Sequence, residues 1–155
     1  PSLEFNITLL SDMEISASSN ILVPPLEHYQ NAPITLNIDC IQSASPCNVN
    51  ITNSSTLINI QQSSTNCSKL HLSVANLNIR SIEWQFTAYY AVLYASNVHH
   101  LSVAFSEISI DGAVDDWYAV YIRYASAVPD LSNVISFTSV YLANMYTPIY
   151  VLWGG

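Results

Sequence analysis

The sequence predicts an all-β solenoid, in which short strands stack coil upon coil around one apolar interior. Three observations predict it. First, an alternating pattern recurs. It reads Leu70, Leu72, Val74, Leu77, Ile79, then 31 residues on Leu101, Val103, Phe105, Ile108, Ile110, then 32 residues beyond the last four Ile135, Phe137, Val140, Leu142. Alternation at period 2 buries one face of a strand, and the two-residue break marks a corner after which a second strand buries the same side. Second, each copy is accompanied by another short strand: Ile58-x-Ile60, Val92-x-Tyr94, Val120-x-Ile122 and Ile149-x-Val151. Third, no long segment carries clean period-3.6 patterning, so almost no helix is expected beyond one turn near Ser81 to Phe86. A unit recurring at this interval is the mark of a repeat fold whose coils bury their faces against one another.

In chain order, Phe5, Ile7 and Leu9 alternate, then Met13 and Ile15, and form the first coil. Ile21 to Pro33 carries three prolines and reads as a loop excursion. Ile34, Leu36 and Ile38 alternate again, a cysteine-bounded loop follows, and Val49 and Ile51 complete the second coil. Asn53 to Thr56 is a turn. The corners of the regular coils are Ala75-Asn76, Ser106-Glu107 and Thr138-Ser139. Asn76 suits a corner that requires a left-handed backbone. Longer excursions leave at Ser81 to Thr87, Asp111 to Trp117 and Ala127 to Asn133. The chain is thus one solenoid domain over 1–155, with irregular coils in 1–56 and regular coils in 57–155.

Composition narrows the function classes. Charged residues make up 9% of the chain, against about 25% in an ordinary globular protein. Three basic residues, Lys69, Arg80 and Arg123, stand against eleven acidic ones, for a net charge of −8. Nucleic-acid and anionic-membrane partners are disfavoured, because both require clustered Lys and Arg. No apolar stretch approaches the ~18 residues of a membrane span. Four Asn-x-Ser/Thr sequons occur, at Asn6, Asn50, Asn53 and Asn66, so N-linked glycans are expected as a solubilising layer. Of three cysteines, Cys40 and Cys47 bracket a turn-forming segment and are the first choice for a disulfide; Cys40 to Cys67 is the alternative. Sequons and a disulfide together point to an extracellular or cell-surface protein. No metal site or cofactor is expected, since no C-x-x-C is present and His99-His100, neighbours in an extended segment, face opposite sides. The chain begins at Pro1 and ends at Trp153-Gly154-Gly155, directly after an apolar strand; it is read as a mature start and as a piece of a longer protein.

Three short strands per coil, a two-residue corner and a coil of roughly 30 residues resemble the right-handed parallel β-helix, the pectin-lyase-like fold. The resemblance is carried by Leu70 to Ile79, Leu101 to Ile110 and Ile135 to Leu142, and implies about four to five coils. It is architectural. The fold hosts lyases, hydrolases, adhesins, tailspikes and filament proteins, so activity has to be argued from the site. Hydrolases of this kind use paired aspartates, and lyases use aspartates for Ca²⁺ with a basic residue that abstracts a proton. The candidates here are Asp111, Asp115 and Asp116, with Arg123 one short strand onward. They would come mainly from one loop, whereas the family draws carboxylates from neighbouring coils.

Aromatic residues crowd the chain after residue 84, and the alternation turns Tyr121, Tyr141 and Tyr150 outward as a contact surface. Ile149-x-Val151-x-Trp153 opens a coil that the chain does not finish, leaving apolar cross-section and unpaired backbone. The expectation is a secreted, glycosylated structural protein. It would be a subunit or segment of a surface filament, assembling with its own kind through open coil ends and aromatic surfaces. The alternatives are a polysaccharide-active lyase or hydrolase, and a carbohydrate-binding adhesin or tailspike-like module.

Overall fold

The computed structural model describes residues 2–16, 21–23, 32–41, 45–52, 56–61, 69–82, 90–98, 100–112, 117–124, 133–145 and 147–153. These form strands throughout, with no helix among them. The strands are β1 (Leu3–Leu9), β2 (Met13–Ile15), β3 (Ile21–Val23), β4 (Ile34–Cys40), β5 (Cys47–Ile51), β6 (Ile58–Gln61), β7 (Leu70–Ala75), β8 (Leu77–Ser81), β9 (Tyr90–Ser96), β10 (Leu101–Asp111), β11 (Trp117–Tyr124), β12 (Val134–Ala143) and β13 (Ile149–Trp153). Each pairs in parallel with its counterpart one coil away, which makes the molecule a β-solenoid.

One sheet has eight strands and follows β1-β4-β7-β10-β8-β5-β2, with β12 also paired to β10. The other has five, in the order β13-β11-β9-β6-β3. Separate first and second strands occur only in the first three coils. In the fourth and fifth, β10 and β12 run through the corner as single strands, so fewer complete three-strand coils are present than the four to five expected.

Like residues stack in rows along the interior. Phe5, Leu36, Leu72, Val103 and Ile135 make one row, and Ile7, Ile38, Val74, Phe105 and Phe137 the next. The two phenyl rings stack at 5.4 Å, a geometry worth about 1 kcal/mol beyond the area it buries. Burial alternates along the strands as the sequence pattern requires: every second residue of β4 is buried, from Ile34 to Cys40.

The corner is sharper than two residues. A single left-handed residue turns the chain in each regular coil: Asn76 at φ 56°, Glu107 at 52° and Ser139 at 52°. The Asn76 N–H donates to the Ser106 carbonyl, and the Asn76 carbonyl accepts from the Cys47 N–H. The corners therefore stack with their backbone groups paired. The second coil departs from this rule. Residue offsets fall from 36 between Ile34 and Leu70 to 30 between Cys47 and Leu77, so six residues are inserted after Cys40. The Cys40–Cys47 disulfide closes that insertion at its mouth, with Cα atoms 5.7 Å apart. The first-choice pairing is thus the one formed.

On β9 the expected register is corrected. Leu93 and Ala95, not Val92 and Tyr94, lie level with Val120 and Ile122. A bulge is the reason. The N–H groups of Ala119 and Val120 both donate to the Pro148 carbonyl, and both residues lie in the core, as do Val92 and Leu93. Two consecutive inward residues flip the alternation that follows, so Tyr94 faces outward. The expected helical turn near Ser81 to Phe86 and most of the loop excursions fall outside the described residues, as does Cys67.

Glu107 is exposed and its penalty is confined to the backbone. Asn tolerates the left-handed region and β-branched residues do not. Glu107→Asn is therefore expected to raise unfolding stability by up to about 1 kcal/mol, and Glu107→Val to lower it by about 1–2 kcal/mol, both read from urea denaturation midpoints.

Candidate functional site

The polar chemistry of the chain collects on the outer face of the eight-stranded sheet. The in-register rows that bury Val49, Ile79, Ile110 and Leu142 inside place polar residues outside. One outer row is Asn48, Asn78, Ser109 and Tyr141. Its neighbour is Glu14, Asn50, Arg80 and Asp111. Between them lies a shallow groove of about 380 Å³. A similar groove of about 350 Å³ runs over Asn6, Asn37, Asp39 and Ser73 on the first halves of the coils.

Side-chain ladders hold these rows. Asn48 donates through its backbone N–H to Asp12 Oδ1 at 2.8 Å and through Nδ2 to Asp12 Oδ2 at 2.9 Å. Asn78 Nδ2 donates to Asn48 Oδ1 at 3.3 Å. Asn37 Nδ2 donates to Asn6 Oδ1 at 2.8 Å and to Glu4 Oε1 at 3.1 Å. Asn76 Nδ2 reaches Asp39 Oδ1 at 2.7 Å. Asn133 closes a gap in the backbone ladder: its Oδ1 accepts from the Leu101 N–H and its Nδ2 donates to the Val98 carbonyl. Primary amides suit this work because each carries a donor and an acceptor that the coils above and below can share. Composition flagged the asparagines as polar surface. Applying the strand offsets to them would have found the ladders.

Asp111 belongs to this network. Its Oδ1 accepts from Asn144 Nδ2 at 2.8 Å, and its Oδ2 lies 3.7 Å from Arg80 Nε. That ion pair is well exposed, so its contribution is small. Arg123 is on β11 in the other sheet, where it is exposed and level with Ser96 and Leu152. The cation placed against Asp111 is thus Arg80. Asp115 and Asp116 lie outside the described residues. No group of three or more His, Cys, Asp or Glu side chains comes together as a metal site among the described residues.

The aromatic expectation needs correction. Tyr121 does turn away from the main core, but it is fully buried. It stacks on Tyr94 at 5.6 Å and on Tyr150 at 5.2 Å, and meets Tyr118 edge-on at 5.5 Å. A ring inside a ladder is covered from both sides, so outward orientation does not make it accessible. Tyr150, at the end of that ladder, is half-buried. Tyr141 is on the other sheet and is 67% exposed. The three therefore form no single surface.

Of the sequons, Asn6 lies exposed on β1 and Asn50 half-buried on β5. Thr52, which completes the Asn50 sequon, is buried, and its Oγ1 donates to the Ile15 carbonyl at 3.3 Å. Asn53 and Asn66 are outside the described residues.

The hydrogen bonds from Asn48, its side chain first and its backbone second, hold the Asp12 carboxyl below its ordinary 3.8. They favour the charged form in the folded state, so this contribution is complete above the ordinary value and is lost as the pH falls through the lowered one. Carboxyl NMR titration is expected to place Asp12 below 3.8 in the native chain and to return it toward 3.8 in Asn48→Ala.

No protein-family model, no curated protein and no solved structure matches the chain.

Proposed function

We propose that this chain is a structural segment of an extracellular assembly, a piece of a surface filament or appendage built on a right-handed β-helix of the pectin-lyase-like kind. One observation carries the reading: the apolar rows and the outer amide ladders run in register from coil to coil along the described solenoid, the build of a repeat that extends by adding coils. The disulfide and the very low charge are compatible with an extracellular setting.

The test is immunogold labelling of the source cells. Label on external filaments or sheath is expected. Label confined to the cell interior overturns the reading.

A second reading, a carbohydrate-binding module, is favoured by Tyr141. Its exposed ring stands in the same row as Asn78 and Ser109 at the edge of the polar groove. An exposed aromatic face beside amide and hydroxyl groups is the chemistry that receives a sugar ring. Saturable binding on a glycan array, weakened about tenfold by Tyr141→Ala (a loss of ~1.4 kcal/mol), is its expected outcome. Absence of binding over the whole array removes it. Cleavage of a polysaccharide is less favoured, because Asp111 is committed to the Arg80 and Asn144 contacts.

A further inference from the structure

We propose that the polar groove over β5, β8 and the second half of β10 binds a cationic amino-sugar chain. The proposal rests on the carbohydrate reading above and names the class of ligand. Its basis is first the charge of the groove. One outer row runs Glu14, Asn50, Arg80 and Asp111. The other runs Asn48, Asn78 and Ser109, with Asp12 bonded to Asn48. Successive rungs stand about 4.8 Å apart, so a chain laid along the axis meets these groups one after another. Three carboxylates thus face one guanidinium, and Arg80 already lies 3.7 Å from Asp111. Asp12 and Glu14 remain as surplus negative charge. Two hydrogen bonds from Asn48 favour the charged form of Asp12. Glu14 is exposed, and its side chain makes no hydrogen bond or ion pair among the described residues. The net charge of −8 on the whole chain acts in the same sense. Such a site attracts a cation and repels an acidic polymer.

Charge alone does not select a sugar. The groove also holds polar groups that the fold leaves unused. Asn50 and Ser109 are half-buried, and neither side chain is hydrogen-bonded among the described residues. An amide offers donors and an acceptor, and a hydroxyl does both, which is what the hydroxyls of a sugar require. A peptide docks differently: it extends a strand edge or fills an apolar pocket. Neither is on offer here. Strand β5 is paired on both sides, with β2 and β8, and β8 with β5 and β10. The lining is polar apart from Ile79. Amines and hydroxyls carried on one repeating unit answer both features, the surplus carboxylates and the unused amide and hydroxyl.

The test is calorimetric titration at low salt with three probes: glucosamine oligomers, their N-acetylated counterparts, which lose the charge, and oligolysine of matched charge. Saturable binding of the glucosamine oligomer is expected, about tenfold tighter than that of the acetylated form and weakened by added salt. Glu14→Gln is expected to weaken it about threefold, and Asn50→Ala about fivefold. Both side chains face outward, and unchanged melting temperatures confirm that the variants fold. Glu107→Gln removes the same charge at an exposed corner outside the groove and is expected to leave binding as it was. Oligolysine binding as tightly as the sugar overturns the proposal, as does a loss in Glu107→Gln equal to that in Glu14→Gln. Either result reduces the effect to net charge. An acetylated oligomer that binds as tightly as the amine removes the cationic class and leaves the carbohydrate reading standing. No binding by either oligomer also overturns the proposal, and the glycan array then decides the carbohydrate reading separately.

Discussion

Everything in this molecule depends on the in-register parallel stacking of coils. Each interior residue is buried mainly by the residue at the same level one coil above and one coil below. A slip of one residue along a strand would turn a whole apolar row to solvent and a polar row inward. The contacts are long-range in sequence, so no coil is stable alone and the core exists only as a property of the stack. Loss of register at one level would be transmitted to its neighbours through the same rows.

Several devices pin that register, and each acts at a place where the chain changes direction. A single left-handed residue fixes the corner of the regular coils, and it is not glycine in any of them: Asn76, Glu107 and Ser139 do this work. A corner with one defined residue allows less slippage than a flexible loop. Where the second coil replaces the corner by an insertion, the Cys40–Cys47 disulfide restores the closure. On the outer face the amide ladders repeat the constraint in polar form, since Asn48 can bond Asp12 and Asn78 only when three coils are aligned. The bulge at Ala119 and Val120 does the opposite. It breaks the alternation once, in the same place on neighbouring coils, and so creates a second, aromatic cluster outside the main core.

The same stacking governs what the surface displays. The outer face offers aligned amides, hydroxyls and one exposed ring, Tyr141. Their spacing along the axis is set by the regular stacking of the coils.

The sequence by itself determined the fold class, the strand positions from Leu70 onward and the corners, because period-2 alternation and a fixed repeat are direct images of one buried face and one coil. It made Cys40 and Cys47 the first choice for a disulfide, since they flank a short turn-forming stretch, and left Cys40 to Cys67 as the alternative; the structure forms the first. Tertiary structure decided what one-dimensional periodicity does not contain. Tyr94 lies on the outer face because the successive residues Val92 and Leu93 both point inward and reset the phase, as Ala119 and Val120 do on the next coil, where both N–H groups donate to the Pro148 carbonyl. Tyr121 faces outward as the alternation requires, yet stacking on Tyr94 and Tyr150 buries it; accessibility depends on neighbours 27 residues before it and 29 after it along the register. Asp111 likewise looked like one member of a loop cluster with Arg123. Register placed it beside Arg80 and Asn144 instead, because in a solenoid proximity is set by coil spacing and not by nearness in the chain.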